Sequence, residues 1–416
     1  MKKILPLMYQ VTQKFDTPSV EDAYQKVCSD IAAFSPDIER LKGQSVAIAV
    51  GSRGIHNLYH LVRGCVDTLR GWGLKPFIVP AMGSHGGATE QGQRAILANL
   101  GITEASVGAS IDASMDVISF GTLPSGAEVF FSQAAYKADH LVIIARIKPH
   151  TLFRAAVESG LCKMLAIGCG KFTGASELHR FNVADQIVPA AQYICKKVSV
   201  LFGIAVVENE CHKITSIHIV HPDRFVETDQ SLLVSARQLL PRLPFDDLDI
   251  LIVDEMGKNI SGGGMDPNVY GFWRRDGGPR IPDYRTLIVL DLTAQSHGNA
   301  VGIGMADLIT RHLADKINWE ITYKNAITSG VFRAARMPLV ASDDRNAIEL
   351  AVQALPHTTQ IRIVRIVNTL ELQTFWVSSA LLPELQERNN LTIHNESLNF
   401  VFSHQNRLLP FVKRDA

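Results

Sequence analysis

The sequence lacks a charge excess of either sign and has no long apolar run. Forty-one basic residues balance forty-one acidic residues among 416, and no basic stretch is long enough to suggest a nucleic-acid or anionic-membrane surface. No segment approaches the apolar length that spans a bilayer. The start, MKKILPLMYQVTQKFD, contains too short an apolar run for a secretory signal. These absences favour small-molecule chemistry in a cytoplasmic protein.

Cysteine is sparse, and no two cysteines form a CxxC pair. The six cysteines are Cys28, Cys65, Cys162, Cys169, Cys195 and Cys211. Their scatter argues against a disulfide framework and against a structural zinc site. We expect reduced thiols, most of them acting as small buried apolar side chains.

Strand-like runs alternate with helical patterns in the first half of the chain. The strand-like runs are 45–50, 75–80, 116–120, 128–131, 140–147 and 198–207. Helical spacing of apolar residues covers 57–72 and 89–100. This alternation indicates α/β layers built on a largely parallel sheet.

Two prolines within 240–247 interrupt this pattern, and a second series of strands follows. Its strand-like runs are 250–253, 286–291 and 360–367. A chain of 416 residues exceeds the usual size of a single core. We therefore predict two α/β domains, 1–241 and 242–416, with largely parallel sheets. The first is expected to carry the site residues and the second to close an interdomain cleft, where ligands usually bind.

Three loops of the first half follow predicted strands and carry one cationic or titratable side chain each. Arg53 and His85 lie in glycine-rich loops, and His150 follows Pro149 at the end of a strand. Ligand sites in open α/β sheets form at the carboxyl ends of strands, so we expect these three side chains to converge. A histidine at a strand end suits proton transfer with a substrate hydroxyl. The alternative for each histidine is an ordinary solvated loop residue.

The segment from Lys148 to His179 concentrates reactive side chains and predicts a cofactor or active-site wall. Lys163 is flanked by apolar residues, and a partly buried lysine can become nucleophilic and bond covalently to a cofactor. His179 is a candidate nickel, copper or zinc ligand, and the pattern Thr173-Gly-Ala-Ser176 predicts a helix start before it. Lys171 lies in a glycine-rich stretch that could bind a phosphate. A surface lysine and an ordinary helical histidine are the alternatives.

Two loops of the second domain also follow predicted strands. Lys258 could pair with a carboxylate from across the cleft, and His297 could line the same cleft. Turn chemistry explains both loops equally well.

The ordered set of these residues resembles the nickel-dependent lactate racemase family. In that family an arginine loop precedes a Gly-Thr-His-Arg-Pro loop, a Pro-His pair, a Ser-Gly-Gly-x-Lys motif and a nickel-binding histidine. The corresponding stretches here are Gly51-Ser-Arg53, Gly83-Ser-His85, Pro149-His150, Ser159-Gly-Leu-Cys-Lys163 and Glu177-Leu-His179.

The resemblance implies a racemase or epimerase of a 2-hydroxy acid with a nickel-pincer nucleotide, a pyridinium mononucleotide whose two thiocarboxylate arms and ring carbon hold nickel. It implies that Lys163 forms the covalent link and that His179 completes the coordination of nickel. His85 and His150 act as the two proton-transfer groups, and Arg53 with Lys258 anchors the substrate carboxylate. Lys171 is expected to contact the cofactor phosphate. The implied partners are the enzymes of cofactor biosynthesis, and a homo-oligomer is compatible with this picture.

Two other interpretations of the same residues stay open. In one, His85, His150 and His179 bind a metal directly, as in a zinc-dependent hydrolase or lyase. In the other, the chain binds a small anion without catalysis.

Overall fold

The computed structural model describes residues 5–34, 37–52, 54–356 and 360–411. Its strands are β1 (Met8–Gln13), β2 (Ser45–Val50), β3 (Lys75–Pro80), β4 (Val117–Thr122), β5 (Glu128–Ser132), β6 (His140–Arg146), β7 (Val200–Glu208), β8 (Ile214–Val220), β9 (Asp247–Met256), β10 (Asp283–Leu292), β11 (Leu308–Thr310), β12 (Leu339–Ala341), β13 (Ile363–Ile366), β14 (Thr374–Ser378) and β15 (Leu391–Leu398).

The α-helices are α1 (Ala23–Phe34), α2 (Ile38–Leu41), α3 (Leu58–Gly71), α4 (Glu90–Asn99), α5 (Glu104–Val107), α6 (Gln133–Lys137), α7 (Leu161–Lys163), α8 (Lys171–Arg180), α9 (Val183–Cys195), α10 (Phe225–Gln238), α11 (Pro267–Tyr270), α12 (Trp273–Asp276), α13 (Arg311–Ala314), α14 (Trp319–Ser329), α15 (Asp344–Ala354) and α16 (Leu382–Leu385). A π-helical turn, Met164–Gly168, continues directly from α7. In the described parts of the chain, no helix combines the length and apolarity needed to cross a membrane.

The fold is mixed α/β with mostly parallel sheets, as the sequence predicted. The chain divides into two compact units, Thr17–Leu240 and a second unit that begins at Pro241. The described residues before Thr17 belong to the second unit, whereas the sequence analysis placed them in a domain of residues 1–241. The reason is strand pairing, because β1 forms antiparallel ladders with β14 and β15.

The unit Thr17–Leu240 is built on a five-stranded sheet with the order β3-β2-β6-β7-β8. The first three pairs in this order are parallel, and only β7 and β8 run antiparallel. The predicted runs at 116–120 and 128–131 do not join this sheet. They form the separate antiparallel pair β4–β5.

Apolar side chains alternate between the two faces of this sheet, and each face carries its own core. Val46, Ile48 and Val50 of β2 are buried in a cluster with residues of α1 and α3. The intervening Ala47 and Ala49 are buried in a second cluster, with residues of α7, the π-helical turn, α9 and α10. A strand covered on both faces reads as a continuous apolar run, which is why Ser45–Val50 was recognisable in the sequence.

The second unit contains an eight-stranded mixed sheet with the order β12-β11-β10-β9-β13-β14-β1-β15. The pairs from β12 to β13 are parallel, and the remaining three pairs are antiparallel. Its two faces also bury separate apolar clusters: Ile250 and Ile252 of β9 belong to one, and Leu251 and Val253 to the other.

Candidate functional site

Three loops meet at the carboxyl edge of the parallel strands β3, β2 and β6. The register pairs Val50 with Pro80, so β2 and β3 end side by side, and β6 ends at Arg146. Parallel pairing brings the loops after these strands to one edge of the sheet. The loops carry His85 and His150; Arg53, which was predicted for the first loop, lies outside the described residues.

The loop that carries His85 is held by its neighbours on two sides. Ser52 Oγ, from the loop after β2, forms a short hydrogen bond with His85 Nδ1. The backbone N–H of Gly83 donates to the carbonyl oxygen of Gly168, at the end of the π-helical turn, at 3.2 Å. The His85 side chain itself is exposed. A fixed backbone therefore presents an imidazole that solvent and ligands can reach.

The loop that carries His150 folds around a fully buried carboxylate, that of Glu158. Glu158 Oε2 accepts from the backbone N–H of His150 at 2.7 Å, and Oε1 accepts from Ala155 N–H at 3.0 Å and from Arg237 at 2.7 Å. The His150 ring also packs against Phe153, with ring centroids 4.2 Å apart. Charge-assisted hydrogen bonds of this kind are among the stronger contacts in a fold, so the backbone at His150 is firmly placed.

Lys163 lies at the end of α7, and a second buried carboxylate caps this helix. Asp229, in α10, accepts from the backbone N–H of Leu161 at 3.0 Å and from that of Cys162 at 2.8 Å. These are N–H groups of the first helical turn, which have no partner inside a helix. Gly160, with φ +94, lets Asp229 approach, since an added Cβ would stand 2.3 Å from its Oδ1. Steric contact with Asp229 therefore explains the glycine of the Ser159-Gly160 pair directly before the helix.

The Lys163 ammonium group is half-buried beside the His150 loop. Its Nζ donates to the carbonyl oxygen of Glu158 at 3.4 Å and lies 5.3 Å from the centroid of the Phe153 ring. The same phenylalanine packs against His150. The structure therefore brings Lys163 and the His150 loop together.

His179, in the last turn of α8, is a neutral imidazole in electrostatic range of Lys163. Its Nδ1 is 2.5 Å from the carbonyl oxygen of Ala175. A carbonyl only accepts hydrogen bonds, so Nδ1 carries the ring proton and Nε2 the lone pair. Although the residue reaches solvent, desolvation by nearby protein atoms lowers the pKa of His179. The hydrogen bond to Ala175 O opposes this shift, and the positive charge of Lys163 adds to it. A neutral ring in this tautomer has the lone pair on Nε2 that a metal ligand needs, and the role of His179 stays a prediction.

Lys171 has a different position from the one the sequence suggested. Its side chain is fully buried, and its Nζ donates to Pro80 O at 2.8 Å and to Gln93 Oε1 at 3.4 Å. A fully buried ammonium group that is engaged inside the protein is not placed to meet a phosphate. The structure thus argues against a phosphate contact for Lys171. The helix α8 also begins at this residue, before the start predicted at 173–176.

Lys258 and His297 belong to the other unit, in the loops after β9 and β10. The Lys258 ammonium group donates to Gly262 O at 2.5 Å and to Asn325 Oδ1 at 2.8 Å. His297 is exposed and has a left-handed backbone, with φ 48. Both positions lie at the carboxyl ends of parallel strands, as expected. Their roles stay predictions.

The sequence analysis missed three buried polar residues that organise the site: Gln93, Glu158 and Asp229. For two of them a signal was present. Asp229 shares the buried face of α10 with Phe225 and Leu233, and Gln93 shares that of α4 with Leu97. A polar side chain at the buried spacing of an amphipathic helix indicates an internal hydrogen-bonding role. Glu158 lies in an irregular loop, where no periodicity marks it.

Comparison with known proteins supports the fold. A family model described as a domain of unknown function (DUF362) matches residues 52–223. The lactate racemase apoprotein from Thermoanaerobacterium thermosaccharolyticum superposes with a TM-score of 0.54 at 16% identity, over 88% of this chain and 99% of that chain. A crystal structure of a protein from Thermotoga maritima gives a TM-score of 0.51 at 12% identity, over 77% and 84% of the two chains. No curated protein sequence matches. At these identities the likeness concerns the fold.

The contact between Gly160 and Asp229 predicts a large effect of one methyl group. Gly160→Ala is expected to lower the free energy of unfolding by about 3 kcal/mol or more, because it adds a steric overlap to an unfavourable backbone conformation. Gly277→Ala is the matched control, since Gly277 has a backbone conformation close to that of Gly160 (φ 78 and ψ −164, against φ 94 and ψ −154) and nothing within 4 Å of an added Cβ. Its loss should be about 1 to 2 kcal/mol, from backbone strain alone. Urea unfolding measures both, and equal losses would contradict the assigned contact.

The burial of Asp229 predicts an unusual pH dependence. Desolvation raises the pKa of Asp229 from 3.8 to about 6, against the opposing effect of its backbone hydrogen bonds. The folded state therefore binds more protons than the unfolded state between pH 4 and 6, and stability falls as pH rises through this window. The free energy of unfolding of the wild type, relative to Asp229→Asn, should fall by about 3 kcal/mol between these limits and then level off. Parallel pH profiles for the two proteins would show that this carboxyl has an ordinary pKa.

Proposed function

We propose that this chain is a racemase or epimerase of a 2-hydroxy acid that works with a nickel-pincer nucleotide. The observation that carries the proposal is the placement of Lys163 and His179. A half-buried amine lies in electrostatic range of a neutral imidazole whose Nε2 holds the lone pair. Both lie in the unit whose sheet edge also presents His85 and His150, in a fold shared with a lactate racemase apoprotein.

The donor set of the chain fits a metal that arrives with its own ligands. Within the described ranges, no group of three or more His, Cys, Asp or Glu side chains is arranged to hold a metal ion. His179 supplies one imidazole, so nickel held there needs further donors from a bound molecule. The two thiocarboxylates and ring carbon of a pincer nucleotide are such donors. Lys163 supplies the amine for the covalent link.

The protein's own residues then handle the substrate and its proton. When bound, the cofactor supplies hydride acceptance from the substrate carbon and hydride return, chemistry that no side chain provides. His85 and His150 exchange the hydroxyl proton, one on each face of the 2-hydroxy acid. Leu152 N–H donates to His150 Nδ1 at 3.2 Å, so the neutral His150 ring carries its proton on Nε2 and can hydrogen-bond to a substrate oxygen through it. The Ser52 hydroxyl can donate to or accept from His85 Nδ1, which allows that ring either tautomer.

Arg53 and Lys258 remain our candidates for binding the substrate carboxylate. An arginine fork matches the two oxygens of a carboxylate, and a lysine provides a point charge. Lys171 is left out of this set because its ammonium group is internal.

The geometry gives less support to direct metal binding by His85, His150 and His179. A catalytic zinc centre of the usual kind needs three protein ligands that converge within bonding distance. The described residues contain no such group of donors. A non-catalytic anion-binding protein is distinguished from the proposed enzyme by the turnover experiments below.

Co-expression with the enzymes of cofactor biosynthesis should yield protein with a nucleotide-sized adduct on Lys163 and an equimolar amount of nickel. Intact-mass analysis, peptide mapping and metal analysis measure both. Lys163→Arg keeps the charge but removes the nucleophile, so it should lack the adduct; Lys196→Arg, at an exposed position, is the matched control and should keep it. His179→Ala should retain the adduct and lose nickel. An unmodified Lys163 under these conditions would contradict the proposal.

The loaded enzyme should interconvert the two forms of one 2-hydroxy acid in a chiral chromatography panel. A run in D2O should leave the hydrogen on the substrate carbon unexchanged, since it leaves and returns as hydride. His85→Ala and His150→Ala should each reduce inversion by about a hundredfold or more, the usual contribution of a proton-transfer group, while the adduct stays in place. His56→Ala, which removes an exposed histidine from the loop after β2, is the control. Solvent deuterium at the substrate carbon would indicate proton abstraction instead.

A further inference from the structure

The most unusual side chain outside the proposed chemistry is Lys171, a fully buried lysine with a left-handed backbone, φ 54. Its Nζ donates to the carbonyl oxygen of Pro80, the last residue of β3, and to Gln93 Oε1. The loop that carries His85 begins directly after Pro80. Lys171 therefore contacts the point at which this loop leaves the sheet.

Gln93 extends the contact from Lys171 to the loop itself. This side chain, on α4, is also fully buried. Its Nε2 donates to the carbonyl oxygen of Gly83 at 3.1 Å and to that of His85 at 3.4 Å. Because Lys171 can only donate and the two carbonyls can only accept, the amide has one orientation that satisfies all its partners. Lys171 and Gln93 thus form a continuous chain of hydrogen bonds to the backbone of His85.

Glycines at 83, 86 and 87 leave much of the loop without side chains that could pack in the core. Its 3₁₀ turn, Gly86–Ala88, packs against the start of α4 so closely that a Cβ on Gly86 would stand 2.6 Å from the carbonyl carbon of Gly92. Met82 at the start of the loop is buried in the apolar core, but Gly83 and Gly86 contribute no side chain to it. Hydrogen bonds to the loop backbone, those from Gln93 among them, therefore contribute to its conformation.

We propose that Lys171 and Gln93 are positioning residues, which fix the 82–88 loop from inside the protein and so set the direction of the His85 imidazole. The consequence for catalysis rests on the function proposed above, but the mechanical role does not. A positioning role together with Gln93 explains why Lys171 is buried. It replaces the phosphate contact suggested by the sequence.

Hydrogen bonding explains why position 171 holds a lysine and not an apolar side chain of similar length. Burial lowers the pKa of Lys171 to about 8, so the charged form is penalised inside the fold. A methionine of similar length would avoid that penalty but would leave Pro80 O and Gln93 Oε1 without their donor. Buried acceptors that lose their donor destabilise the folded state. The hydrogen bonds of Lys171 and Gln93 are local to the loop. We therefore expect most of the lost stability to be seen in the loop.

The test measures the loop in the full-length protein, before any cofactor is loaded. Lys171→Met and Gln93→Glu are compared with the wild type by hydrogen exchange of the backbone amides of Gly83, His85 and Ala88. Gln93→Glu keeps an oxygen for Lys171 but loses both donors to the loop. We expect each variant to raise exchange at these amides about tenfold or more, with β2, β3 and β6 within about twofold of wild type. The double variant should resemble the single variants, because all break one chain of contacts.

Two further readouts separate positioning from general stability and from the proposed reaction. NMR titration of the His85 ring should show an altered pKa in both variants, and Lys196→Met, at an exposed site, should change neither exchange nor titration. Folded variants with an unaltered loop and His85 pKa would overturn the inference. If Lys171→Met unfolds, Gln93→Glu decides the question alone. If the variants change the loop as expected but the cofactor-loaded wild type shows no racemase activity, only the proposed function would be overturned.

Discussion

The candidate site depends on the parallel pairing of β2 with β3 on one side and β6 on the other. This register ends three strands at one edge of the sheet and delivers the loops with Ser52, His85 and His150 to that edge. A shift of one residue would turn the apolar side chains of β2 to the wrong faces, since Val46, Ile48 and Val50 belong to one core and Ala47 and Ala49 to the other. The packing of two apolar cores therefore fixes the strand register, and with it the position of the polar loops at the carboxyl edge of the sheet.

Beneath this edge, buried polar groups give the loops their shape. Asp229 caps the helix that carries Lys163, Glu158 organises the backbone at His150, and Lys171 with Gln93 supports the backbone at His85. Glycine-rich loops expose many backbone N–H and C=O groups, and apolar packing cannot satisfy them. Internal charged groups can, provided that each finds its partners. The accessible imidazoles and amine thus rest on an inner layer of hydrogen bonds that solvent does not reach.

The sequence predicted the layered fold well where the signal is local. The β-branched runs of β2, β3 and β6 and the apolar spacing of α3 and α4 fall almost where the structure has them. Non-local pairing was harder to predict. Nothing in Met8–Gln13 shows that this strand joins β14 and β15, more than 350 residues later, and nothing at 116–132 distinguishes a separate hairpin from two strands of the main sheet. Strand pairing depends on the whole chain, whereas periodicity depends on neighbours.

For the candidate site, the sequence by itself determined the residue types and their order: strand-end histidines, a lysine after Ser-Gly, and a histidine one helix later. Only the tertiary structure decided their environments. Desolvation lowered the pKa of His179, and a hydrogen bond to Ala175 O placed its ring proton on Nδ1. The fold also buried Lys171, where an ordinary lysine would reach solvent. The physical reason is that protonation, tautomer and accessibility are properties of what surrounds a side chain. Those surroundings come from residues such as Glu158, Asp229 and Gln93, which are distant in sequence or carry no pattern of their own.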